Sequence, residues 1–184
     1  MKSEPQDLWE SDAPSVRYAR HLCRLYAGID RPVVLVGPVG VGKTTMAKEI
    51  HRLSRRPGRL VPTSAGELTE TLYADTLFGH VAGAFTGAVG ARAGAFAQAS
   101  AGTLLLDDLA VMPAVVQAAI LRVADSGRYR PLGATRDEIS ACRMLFASTE
   151  APAALVAGGR WLPDLACRLG ELVIRVPSLR GRRS

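Results

Sequence analysis

Three short stretches of this chain carry residue types spaced for chemistry. The first is Gly37-Pro38-Val39-Gly40-Val41-Gly42-Lys43-Thr44, with Thr45 directly behind it. Glycines at 37, 40 and 42 let the backbone curl so that successive N–H groups point at phosphate oxygens. Lys43 then reaches toward β- and γ-phosphates, and the Thr44 hydroxyl is placed to ligate magnesium. The second stretch is Asp107-Asp108, closing the apolar run Leu104-Leu105-Leu106. After such a strand one carboxylate holds Mg2+ through water and the next polarises the attacking water. A pair of acids capping the following helix is compatible with that reading. The third stretch, Gly83-Ala84-Phe85-Thr86-Gly87-Ala88, is by physics alone a glycine- and alanine-rich loop with one aromatic and one hydroxyl. The first two describe a site for a nucleoside triphosphate.

The elements that must hold these stretches alternate in the manner of an α/β fold. Ser15 to Ala27 carries Val16, Ala19, Leu22, Cys23 and Tyr26 at helical spacing, with Gly28 as a stop. Val33-Val34-Leu35-Val36 is wholly apolar and reads as a buried parallel strand leading into the phosphate loop. A helix is expected from Lys43 to about Leu53, a strand at Leu60-Val61, and a helix from Leu68 to Phe78. Strands follow at Thr103 to Leu106, Met144 to Ala147 and Leu172 to Val176, with helices over Ala114 to Ala124 and Trp161 to Leu169. The expected architecture is a three-layer αβα sandwich around a central parallel sheet.

Composition limits the alternatives. A chain of 184 residues holds one buried core but not two full domains. There is no apolar signal core in Met1 to Asp7 and no run of membrane-spanning length, so the chain reads as cytoplasmic, with no membrane partner. Cys23, Cys142 and Cys167 are scattered and form no CxxC pair, which favours reduced thiols over a disulfide or zinc site. Part of the net charge of +6 comes from Arg175, Arg180, Arg182 and Arg183. That basic end is read as a solvated tail or a connection, and direct DNA binding by this chain is not expected.

Taken together, the phosphate loop, GAFTGA and the acidic pair resemble the AAA+ ATPase domain of bacterial sigma-54-dependent transcription activators, the enhancer-binding proteins. The match runs from about Leu8 to the end of the chain. It includes Ile50 to Ser54, Leu77-Phe78-Gly79-His80, Gln98-Ala99 with Gly102-Thr103, Leu121-Arg122-Val123, Tyr129-Arg130 with Gly133, and Pro177 to Arg180. The resemblance implies a P-loop NTPase fold, with an extension over 1–14, the AAA+ core over 15–177 and a basic tail over 178–184. The helical lid and the DNA-binding domain that follow in the family are expected to be absent. It implies ATP and Mg2+ as ligands, with Gly37 to Thr45 on the nucleotide and Thr44 and Asp107 on the metal. Asp108, Thr149 and Arg168 are implied as catalytic, and Gly83, Ala84, Phe85, Thr86, Gly87 and Ala88 as the contact with sigma-54 and its RNA polymerase. A homo-oligomer, hexameric in the family, or co-assembly with another activator would follow.

Departures from the family pattern cluster on hydrolysis. Ser64 takes the place of an asparagine that restrains the catalytic glutamate, and Asp108 takes the place of that glutamate. Aspartate is one methylene shorter, and a misplacement of about an ångström costs on the order of 10²-fold in rate. The sensor motif reads Ala147-Ser148-Thr149-Glu150, with an acid where the family has asparagine. A carboxylate facing the γ-phosphate would be repulsive unless it turns away. In the arginine-finger helix the first arginine is Leu162, and the second, Arg168, is retained. Such fingers contribute about 10³–10⁵ in rate. An ATPase that remodels sigma-54 polymerase and a binding module that hydrolyses poorly therefore both stand. A different P-loop machine, a nucleotide kinase or clamp-loader-like ATPase, is disfavoured by GAFTGA.

Overall fold

A computed structural model of the chain describes residues 11–64 and 70–178. Helix α1 spans Pro14–Ala27, with proline in its first turn, where a missing N–H is harmless. Strand β1 is Val33–Val36 and leads through the phosphate loop into α2, Lys43–Ser54. Then come β2 (Leu60–Ser64), α3 (Glu70–Phe78), β3 (Gly79–His80), β4 (Arg92–Ala93) and α4 (Ala95–Gln98). Strand β5 is Thr103–Asp107, α5 is Ala114–Ser126, and β6 (Arg128–Tyr129) pairs with β7 (Glu138–Ile139). The chain finishes with β8 (Arg143–Ser148), α6 (Pro152–Ala157), α7 (Pro163–Leu169) and β9 (Val173–Arg175).

Five strands form one parallel sheet in the order β2-β5-β8-β1-β9. Both faces are covered, which is why β1 and β8 are buried along their whole length and carry the apolar runs Val33 to Val36 and Met144 to Ala147. Val34, Val36, Leu104, Leu106 and Phe146 pack on one face with Phe96, Ile120, Trp161 and Leu165. Val33, Leu35, Leu105, Leu145 and Ile174 pack on the other with Ala19, Cys23, Met46 and Ile50. Cys23 lies inside that second layer, and burial pushes its thiol up to about 12, so it is a core residue without reactivity. Arg143 opens β8 from a buried position and donates to the carbonyls of Tyr26, Ala27 and Arg31. It thereby adds side-chain donors to carbonyls at and beyond the end of α1 and ties that helix to the sheet.

The long elements fall where periodicity placed them, and six short ones were not foreseen. Strands β3, β4, β6 and β7 are two residues each, too short to show alternation, and α4 and α6 span little more than a turn. The last helix begins at Pro163, not Trp161. Proline disfavours the helical conformation at the residue before it, and Trp161 instead donates its amide to Leu155 and buries its ring. The start of the expected 68–78 helix lies outside the described residues. No helix among the described residues is long and apolar enough to cross a membrane.

Candidate functional site

The C-terminal ends of β1, β8 and β5 lie side by side, and each carries one of the singled-out stretches. In the loop after β1, Gly40 and Gly42 hold φ of 77° and 92°, the left-handed region open to glycine. Gly37 is packed so closely that an added Cβ would lie 2.8 Å from the Val176 carbonyl. Its amide donates to Ser148 O at 3.0 Å, so the loop is pinned to the end of β8. Val39 is 86% exposed at the outer turn. Lys43 is buried and donates its Nζ to the carbonyls of Gly37 at 2.9 Å and Pro38 at 3.1 Å. Pro38, Gly40 and Thr44 are exposed, Val41 is buried beneath the loop, and Thr45 is half-buried as the third residue of α2.

Asp107 is the last residue of β5, opposite Ser64 of β2, and its Oδ1 accepts the Asp108 amide at 2.9 Å. Asp108 adopts φ of 59°, a left-handed conformation rare outside glycine, which turns its side chain back over the strand end. Ser64 Oγ donates to Asp108 Oδ2 at 3.4 Å. The contact expected of an asparagine–glutamate pair thus persists between two shorter side chains. Tyr73 on α3 was not foreseen in this setting. Its hydroxyl is buried with no hydrogen-bond partner among the described residues, and burial together with the Asp108 charge pushes its pKa up.

Thr149 and Glu150 follow β8 beside the loop. Glu150 has turned away from it into a two-pronged pair with Arg160, 2.6 Å on each oxygen, which holds the carboxyl below its ordinary range. Arg168 is not brought to this site. It pairs with Asp125 at 2.9 Å and donates to Ala124 O at 3.1 Å, on the last turn of α5. That turn lines a cavity with Pro32 and Arg143, at the N-terminal end of the sheet.

Gly83 to Ala88 forms a separate projection. Gly83 N bonds Ala88 O at 2.8 Å, and Ala88 N bonds Phe85 O at 2.9 Å, closing a turn with Thr86 and Gly87 at its centre. Gly87 at φ 96° supplies the positive angle that the third position of a type II turn needs. Thr86 is exposed and Ala84 half-buried. Phe85 is 41% exposed and rests edge-on against His80, ring centres 4.9 Å apart. His80 Nδ1 in turn contacts Asp75 Oδ1 at 2.6 Å, and Arg92 holds the other Asp75 oxygen at 3.0 Å. This buried carboxylate under the projection had no signal in the sequence beyond its spacing from His80. A groove of about 880 Å3 lies elsewhere, beside β9 between Tyr18, Leu22 and Tyr26 of α1 and Ala166 of α7.

Comparison with known proteins agrees with this geometry. The family model described as the sigma-54 interaction domain matches residues 10–175. The nitric oxide reductase transcription regulator NorR1 of Cupriavidus necator is 39% identical over 163 residues, covering 88% of this chain and 32% of that protein. NtrX from Brucella abortus, solved in complex with ATP, superposes with a TM-score of 0.83 at 28% identity over 94% of this chain and 39% of its own. The P-loop NTPase domain of a sigma-54 activator from E. coli shares the fold, at a TM-score of 0.61 and 16% identity, covering 87% of this chain and 94% of its own. The chain spans about a third to a half of the length of the curated relatives it matches. Sheet order, phosphate loop and family match together make this chain a member of the sigma-54 interaction domain family of enhancer-binding-type transcription regulators, with a P-loop NTPase fold.

Proposed function

We infer that this chain binds ATP with Mg2+ at the phosphate loop and uses the nucleotide cycle to move the 83–88 projection against sigma-54 in its RNA polymerase. The observation that carries the reading is the convergence of Lys43, Asp107, Asp108 and Thr149 at the ends of three adjacent strands. NtrX, a relative by fold, holds ATP. On this reading the curled loop offers its amides to the phosphates, and Lys43 exchanges its two carbonyl partners for phosphate oxygens. The Thr44 hydroxyl and the Asp107 carboxylate are hard oxygen donors suited to Mg2+, with waters completing the shell. The metal would neutralise charge on the β- and γ-oxygens. Asp108, released from Ser64, would orient the attacking water. Phe85 and Thr86 form the exposed tip that meets the partner, and Arg168 serves the nucleotide of an adjacent subunit. The core is assigned to residues 15–177.

A second reading, an ATP- and sigma-54-binding module that turns over slowly and joins another activator's ring, is favoured by specific contacts. Asp108 is short, Glu150 is occupied by Arg160, and Leu162 offers no charge. Steady-state Mg-ATP hydrolysis across a range of protein concentrations, with Lys43→Ala as the blank, separates the two. Turnover per chain rising with concentration is expected for the ATPase. Activity no higher than the blank at every concentration, with ATP still bound, would leave the binding module.

A further inference from the structure

Residue 150 is held from the strand it follows and from the loop it faces. Glu150 follows the end of β8, where the Ser148 carbonyl accepts the Gly37 amide and the Ser148 hydroxyl accepts the Glu150 amide at 3.1 Å. The acid is therefore positioned by the phosphate loop itself. Its carboxylate grips Arg160 through both guanidinium nitrogens at 2.6 Å. Gly158 makes this possible, because an added Cβ there would press on the Arg160 guanidinium at 3.3–3.4 Å.

The backbone of that arginine is held just as firmly from the other side. Gln117, buried in α5, donates to Arg160 O at 2.6 Å and to Met112 O at 2.8 Å, and accepts the Leu162 amide at 2.8 Å. Met112 lies on the connection leaving the acidic pair of β5. The 160–162 loop is thus tied to β8 through a charge pair and to β5 through one amide group. Pro163 begins α7 directly after it.

We propose that Glu150, Arg160 and Gln117 form a relay by which the terminal phosphate of a bound nucleotide sets the position of the 160–162 loop and of α7. The proposal rests on the nucleotide reading of the phosphate loop. A γ-phosphate beside Thr149 brings negative charge next to Glu150, repels that carboxylate and competes with it for Arg160. The pair is 40% exposed on both partners, so it is cheap to open, as a switch requires. The buried amide, by contrast, is costly to leave unsatisfied, so the loop moves with its Gln117 contacts or loses them together.

The test is amide hydrogen exchange at Leu162, whose N–H bonds Gln117. It is read with Mg-ADP and with a non-hydrolysable Mg-ATP analogue at concentrations that saturate each variant. In the wild type the Leu162 amide is expected to exchange about threefold or more faster with the triphosphate than with the diphosphate. Glu150→Gln and Arg160→Gln should each erase that difference, and Arg160→Lys, which keeps the charge but not the fork, should restore part of it. Equal exchange in the wild type, or a difference that survives both pair-breaking variants, overturns the relay. Fluorescent-nucleotide titration distinguishes a deeper failure: a wild type that binds neither nucleotide overturns the underlying reading as well.

Discussion

Asp108 concentrates the tension of the site in one residue. It combines a left-handed backbone, a bond from its amide to Asp107 and a hydroxyl partner in Ser64, yet its carboxylate is one methylene short of the family's glutamate. The other departures from the family pattern are Ser64 at the end of β2, Glu150 after β8 and Leu162 just before α7. Restoring three of the four with Asp108→Glu, Glu150→Asn and Leu162→Arg is expected to raise Mg-ATP turnover by about 10²-fold or more, since positioning and a charged finger each contribute at least that much elsewhere. Steady-state hydrolysis checks this, and an unchanged rate would place the limit outside these residues. These substitutions were legible in the sequence because they fall inside motifs with fixed spacing. What they touch was not legible. Nothing in the order of residues announces that Glu150 meets Arg160, or that Asp75 lies under His80, because those partners come together only when the chain folds.

At the scale of elements, the sequence was informative wherever a pattern ran long enough to repeat. The five central strands and helices α1, α2 and α5 were readable from buried runs and 3.6-residue periodicity. The two-residue strands at the root of the projection were not, although they decide its geometry. Gly79 shows why. It holds φ of 73°, and an added Cβ would collide with the Arg92 carbonyl and come within 2.5 Å of the Gly94 amide. Backbone meets backbone there, so no side chain can yield. Gly79→Ala is expected to cost roughly 2 kcal/mol or more and to loosen the 83–88 projection selectively. Denaturant unfolding gives the first effect, and proteolytic cutting within the projection under native conditions gives the second.

For the whole molecule, nucleotide and stability are linked. A ligand at 100 times its Kd stabilises the state it binds by about 2.7 kcal/mol. For a chain of this size that corresponds to a rise in Tm of roughly 5–10 °C. Mg-ATP should produce such a shift in the wild type, and Lys43→Ala should abolish it; a variant shift equal to the wild type's would remove Lys43 from the site. The sheet also sets the phosphate loop and Arg168 at opposite ends, the loop at the C-terminal edge and the arginine against Ala124 and Asp125. If that arginine serves a second copy, each chain must present its arginine to one neighbour and its loop to the same or another. A two-fold axis satisfies this only if the two chains run antiparallel, each arginine against the other's loop; chains related by any other rotation leave one loop and one arginine unmet until the circle closes. Pair or ring is thus a question of whether neighbouring chains run antiparallel or alike.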